Sequence, residues 1–139
     1  REVLEGLAAK LAAQRIGVDG NRAIFQQMWD AVRPGDQRLA WDVFIERNRL
    51  FHRTIVNVGG NLLLKDAIDK LHLPIMMVQV GRLMHDTNID QSEHDHALIA
   101  DAILDGDPKR AEEAMQDHLR ELANWVLALP DSAFKREEA

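Results

Sequence analysis

The sequence contains no cysteine and no tyrosine, and aromatic residues make up only 5% of its 139 residues. The lack of cysteine excludes disulfide bonds and zinc–thiolate centres and fits a reducing compartment, so we expect a cytoplasmic protein. No apolar run approaches the roughly 20 residues that a membrane-spanning helix requires, and no signal peptide is visible. The net charge is −6 and no basic cluster stands out, which makes the chain itself a poor candidate for binding nucleic acid.

Strand-forming runs are also scarce, whereas apolar residues recur at spacings of three and four along most of the chain, as in amphipathic helices. The sequence therefore predicts an all-α fold, an antiparallel helical bundle of six or seven helices. Ser92 is the predicted N-cap of one helix, after a loop over residues 85–91. We expect residues 1–130 to form one domain and residues 131–139 a frayed tail. The predicted helices cover residues 2–16, 21–32, 37–58, 61–72, 73–84, 92–104 and 108–129.

Polar residues interrupt the apolar faces of three of these helices. Asn48 and His52 are four residues apart, so they lie one above the other on the apolar face of the third helix. His96 and His118 interrupt the apolar faces of the last two helices in the same way. Taken alone, a histidine on an apolar face is usually a hydrogen-bonded core residue.

His96 and His118 stand at equal distances from the turn between the last two helices, because each is eleven residues from Asp107. In an antiparallel hairpin both then lie about 16 Å from the turn, at the same height. Imidazole is the commonest metal-ligand side chain, and three of them with an oxygen ligand suit zinc, nickel, iron or copper better than calcium or magnesium. The spacing leaves two interpretations open: one shared metal site, or three hydrogen-bonded core histidines.

Four motifs occur in order along almost the whole chain. Arg1 is followed four residues later by Glu5 and a small-residue helix, NRLFH spans residues 48–52, Gly60-Asn61 follows, and HALIADAILDGDPKRAEEAMQDHL spans residues 96–119. As a set, these motifs resemble the C-terminal ligand-binding domain of GntR-type bacterial transcription regulators, in the FadR-like branch called FCD.

This resemblance implies a helical domain that binds a small organic acid beside a divalent transition metal. Its metal ligands would be Asn48, His52, His96 and His118, with zinc as the first candidate and nickel, iron or manganese as alternatives. The resemblance also implies a homodimer, and a preceding winged helix-turn-helix domain that binds operator DNA and is absent from this chain. Effector binding would be relayed to that domain.

One ligand position departs from the family pattern, because Asn48 stands where the family usually has aspartate. An amide oxygen can ligate a metal, but it brings no charge and is a weaker donor for a hard cation. With three neutral histidines, the site would carry about two positive charges. We therefore expect weaker metal binding and a stronger attraction for an anionic effector.

The effector site is expected to use arginine, whose planar guanidinium pairs bidentately with a carboxylate. Arg82 is the first candidate because it lies in an apolar segment; Arg1 and Arg53 are weaker candidates. Two other functions are kept as alternatives: a metal-free helical sensor for an acyl-type ligand, and a three-histidine zinc hydrolase. The hydrolase is disfavoured because no acidic residue is obviously placed as a general base. Apolar side chains that could line a pocket are Trp29, Trp41, Phe51, Met76 and Met77.

Overall fold

The computed structural model describes residues 1–71 and 86–134. These residues form helices and no strand, so the predicted all-α helical bundle is confirmed. The predicted helix over residues 73–84, which contains Arg82, lies outside the described residues. The elements are α1 (Glu2–Arg15), α2 (Asn21–Val32), α3 (Trp41–Gly59), α4 (Leu62–Leu71), α5 (Asp86–Leu104), α6 (Pro108–Leu127) and a 3₁₀-helix at Asp131–Phe134.

Glycine, asparagine and aspartate set the helix boundaries that the sequence predicts. Gly60 ends α3 in the left-handed conformation, with φ of 70°, and Asn61 accepts a hydrogen bond from the Leu64 amide at 3.0 Å as α4 begins. At the hairpin between α5 and α6, Gly106 has φ of 67°, and the Asp107 side chain accepts from the Arg110 amide at 3.0 Å. The turn on which the equal spacing of His96 and His118 depends is therefore where the sequence puts it.

Two predicted helix starts are wrong. Helix α5 begins at Asp86, so most of the predicted loop is helical and Ser92 lies inside the helix rather than at its N-cap. Burial of Ile89 and a 2.8 Å hydrogen bond from Gln91 to Asp95 stabilise this additional length. Helix α3 begins at Trp41 rather than at residue 37, and its first turn is fixed by burial of Phe44.

Helix α1 lies at the centre of the bundle and packs against α3, α4, α5 and α6. Its buried face is built from small residues, which let the neighbouring helices approach closely: Ala8, Ala9, Ala12 and Ala13. At the α3 contact, a Cβ added at Gly59 would lie 3.2 Å from the Ala8 carbonyl oxygen. This packing holds α3, α5 and α6, which carry the histidines, around one axis. None of the helices in the described part of the chain is long and apolar enough to cross a bilayer.

We expect Gly60→Ala to lower the free energy of unfolding by about 1–2 kcal/mol, since a left-handed conformation is strained for residues with a Cβ. The added Cβ would also lie 2.9 Å from the Arg15 Nε. Urea denaturation measures the effect. The control is Gly35→Ala, at an exposed position where an added Cβ meets no atom within 4 Å. Equal stability losses in both variants would contradict this reading of the turn.

Candidate metal centre

Three helices bring their histidines together in the interior of the bundle. His52 on α3, His96 on α5 and His118 on α6 each contribute one ring nitrogen, and these nitrogens lie within 4.8 Å of one another. The three residues are only 5–6% exposed. The rings of His96 and His118 have centroids 4.8 Å apart, as expected for residues level with each other across the hairpin.

Carboxylates contact two of the three imidazoles at Nδ1. Glu5 Oε2 lies 2.7 Å from His52 Nδ1, and Asp95 Oδ2 lies 3.1 Å from His118 Nδ1. When Nδ1 carries the proton it donates to the carboxylate, and Nε2 keeps a free lone pair. Carboxylates orient metal-binding histidines in this way and make them more basic. The contacts therefore favour the tautomer in which Nε2 of His52 and of His118 can bind a metal.

His96 shows a different environment. Its Nε2 is buried and has no hydrogen-bond partner among the described residues, while its ring stacks on Phe51 with centroids 4.3 Å apart. A buried polar atom without a partner costs roughly 1–3 kcal/mol. A cation held by the three nitrogens would satisfy this atom, so the donor set fits a transition metal that prefers imidazole.

The electrostatics keep His52 and His96 in the neutral form that binds metal. Burial lowers the pKa of His96 well below its ordinary value, and the neighbouring His118 and His52 lower it further. Burial also lowers the pKa of His52, although Glu5 partly opposes this. For Asp95, burial favours a higher pKa, but hydrogen bonds from His118 and Gln91 outweigh it, so the net pKa is lowered. Two neutral imidazoles and an ionised carboxylate result near pH 7.

We expect the metal-free chain to lose stability as the pH falls below about 6.5, the ordinary pKa of histidine. Below that pH, His52 and His96 of the unfolded chain take up protons, whereas in the fold their lowered pKa values keep them neutral. The unfolded state then binds more protons, and each such histidine removes up to about 1.4 kcal/mol of unfolding free energy per pH unit. Urea denaturation between pH 7.5 and 5.5 tests this; a constant free energy would contradict it.

A cavity of about 190 Å³ opens beside the cluster, and His52 and His118 form part of its wall. Asn48 lines this cavity one helical turn from His52, and it also lines a smaller cavity that includes His96. Asn48 therefore shares one cavity wall with His52 and His118 and another with His96.

The predicted effector-binding residues have different outcomes. Arg1 lines the 190 Å³ cavity, and its Nε lies 2.9 Å from Glu5 Oε1. Arg82 lies outside the described residues, and so do Met76 and Met77. Arg53 is exposed and lines a separate small cavity beside Glu5.

The aromatic walls also differ from the predicted ones. Phe44 and Trp125 line the cavity, whereas Trp41 is not part of its described lining. Phe51 is buried against His96, and Trp29 lines the smaller cavity.

Sequence reasoning missed both carboxylates of the centre. Glu5 belongs to the Arg1–Glu5 motif, and a single acidic residue on the alanine-rich buried face of α1 was the available signal. Asp95 lies twelve residues before Asp107, and so at nearly the same height as His118. The distance of Asp95 from the hairpin turn was therefore enough to predict its place beside His118.

These features define an all-α domain with an internal candidate metal centre beside an open cavity. The family model of the FCD domain matches residues 1–121, so the chain belongs to the FCD domain family. The chain is 31% identical over 121 residues to a protein of Paenarthrobacter nicotinovorans described as a probable D-xylose utilization operon transcriptional repressor. The match covers 86% of this chain and 51% of that protein, so the chain spans about half the length of this curated relative. The resemblance to the FCD domain of GntR-type regulators is confirmed.

Proposed function

We propose that this chain is the effector-sensing domain of a bacterial transcription regulator, and that His52, His96, His118 and Asn48 hold a divalent transition metal. The observation that carries the proposal is the buried Nε2 of His96, which lacks a hydrogen-bond partner among the described residues and lies beside two other histidines. Zinc is the first candidate, with nickel, iron and manganese as alternatives. A bound metal would supply positive charge and open coordination positions for a small organic acid.

Glu5 and Asp95 change the charge expected for this site. The four proposed ligands are neutral, which alone would leave the full charge of the metal, but two carboxylates contact the ligand histidines. Arg1 offsets part of the Glu5 charge. We therefore expect a weaker electrostatic attraction for an anionic effector than the four neutral ligands alone imply. Contacts between the effector and the residues that line the cavity then have to contribute more of the affinity.

A relay to an upstream DNA-binding domain is part of the proposal. Arg1, Glu5 and His52 form a continuous chain of contacts from the start of α1 to the centre. A winged helix-turn-helix domain would precede α1, and the chain's coverage of about half the relative leaves length for it. An effector that binds one arrangement of the helices better shifts the population of the regulator, which would act on operator DNA in the cytoplasm as a homodimer.

Calorimetric titration with zinc tests the ligand role of Asn48. We expect Asn48→Asp to bind zinc about tenfold more tightly than the original chain, because a charged oxygen ligand replaces a neutral one. The matched control is Asn124→Asp, which adds the same charge at an exposed position on α6 and should leave zinc affinity unchanged.

Equal zinc affinity in the Asn48→Asp variant and the original chain would remove Asn48 from the ligand set. Absence of zinc binding in both would favour the metal-free sensor of an acyl-type ligand.

A further inference from the structure

The cavity beside the histidine cluster has an ordered wall. On α3 and on α6, successive lining residues of the cavity are about one helical turn apart, or about 5.4 Å along the helix axis. Since all of them line one cavity of about 190 Å³, both series leave the cluster in the same direction. In order from the cluster, the residues are His52, Asn48 and Phe44 on α3, and His118, Leu122 and Trp125 on α6.

Helix α5 supplies a polar wall to the same cavity. Its lining begins at Asp95, which contacts His118, and continues away from the cluster with Ser92, Gln91 and Asn88. These last three side chains are neutral and can both donate and accept hydrogen bonds.

The wall therefore changes character along the cavity. The histidines form one end, Ser92 and Gln91 lie about one helical turn away in the middle, and Asn88 lies about two turns away, level with the far end. Phe44 and Trp125 lie at the far end, about two helical turns from the histidines.

We propose that the effector is a small carboxylic acid with a flat, apolar group, of the aryl hydroxy acid class. Its carboxylate would lie at the histidine cluster, its hydroxyl between Asn48 and Gln91, and its ring between Phe44 and Trp125. This inference rests on the proposed function, since it assumes that the metal binds at the cluster. A dry cavity of roughly 150 Å³ accommodates benzene, so about 190 Å³ leaves room for a ring and a short polar chain.

A short dicarboxylate fits the same wall poorly. Its second carboxylate would lie among the neutral side chains in the middle of the cavity, because Arg1, which also lines the cavity, already pairs with Glu5 at 2.9 Å. The far end of the cavity, beside Phe44 and Trp125, would stay empty. Glu121 also lines the cavity and would repel a second negative charge. An aromatic ring at this end instead buries apolar surface and can stack on Trp125.

The test is calorimetry on the zinc-loaded 139-residue chain, with 3-phenyllactate, lactate and malate as probes. Phenyllactate and lactate share the same hydroxy acid head, so their ratio isolates the ring. We expect phenyllactate to bind at least about tenfold more tightly than lactate, which corresponds to burial of one ring.

Variants at Trp125 assign the preference to the far end of the cavity. We expect Trp125→Ala to reduce the ratio below about threefold with zinc affinity unchanged, and Trp125→Phe to retain a ring and most of the preference. The control is Leu127→Ala, which removes an 82% exposed apolar side chain two residues along α6 and should keep the ratio.

The outcomes separate this inference from the proposed function. If zinc binds but lactate equals phenyllactate, malate binds more tightly than phenyllactate, or none of the acids binds, the effector class is wrong and the metal site stands. If Trp125→Ala keeps the tenfold preference, the position assigned to the ring is wrong. If zinc itself does not bind, both proposals are overturned.

Discussion

We expect replacement of His96 by leucine to abolish zinc binding and at the same time to stabilise the metal-free domain. In the metal-free state, the His96 Nε2 is buried and has no hydrogen-bond partner among the described residues. Leucine removes this atom and keeps an apolar side chain against Phe51, which the His96 ring now contacts. We expect a gain of about 1–2 kcal/mol in the free energy of unfolding without metal. Denaturation with and without zinc, together with calorimetry, measures both effects.

His94→Leu is the matched control, because His94 lies two residues earlier on α5 and is exposed. It should leave zinc binding and the zinc-dependent stabilisation intact. If His96 had only a structural role, His96→Leu would show the opposite pattern: an unchanged zinc response, and a loss of stability from a hydrogen bond of Nε2 that is not found among the described residues. Observation of that pattern would falsify the metal assignment.

The second large effect is expected at Glu5. Glu5→Gln should weaken zinc binding by about 10- to 100-fold, the loss that follows removal of carboxylates that orient metal-binding histidines. Glu5 is 2% exposed, contacts His52 Nδ1 at 2.7 Å and pairs with Arg1 at 2.9 Å. Glutamine has nearly the same shape but no charge, so it neither favours the required His52 tautomer as strongly nor balances Arg1. Calorimetric zinc titration measures the affinity.

Glu2→Gln provides the control on the same helix. Glu2 pairs with Arg120 at the surface, and exposed ion pairs contribute little, so zinc affinity should not change and stability should change by less than about 1 kcal/mol. If Glu5→Gln binds zinc as tightly as the original chain, the Glu5 carboxylate has no role in the centre. A loss of zinc affinity in Glu2→Gln as large as in Glu5→Gln would point to a general effect on α1 instead.

The histidine cluster was predictable because it depends on local geometry. The four-residue spacing places Asn48 and His52 on one face of α3. The equal distances from Asp107 align His96 with His118 once the hairpin turn is known. Both arguments use only the rise and repeat of a helix.

The surroundings of the cluster depend on longer-range packing and were harder to predict. Glu5 is 47 residues from His52, and only the packing of α1 against α3 brings them together. The extension of α5 to Asp86 depends on the burial of Ile89, which a local pattern does not reveal. The net charge of the site that was predicted from the four ligands is incomplete for the same reason. Glu5 and Asp95 contact the ligand histidines but lie outside the ligand motifs.

The central claim is that the three histidines hold a metal ion, and the most direct test is a crystal of the zinc-loaded chain measured at the zinc absorption edge. The account predicts one strong anomalous peak about 2.0–2.1 Å from a ring nitrogen of each of His52, His96 and His118. It also predicts the Asn48 side-chain oxygen at a fourth position. An anomalous map with no peak among the three histidines, or with zinc bound only at surface residues, would contradict the account.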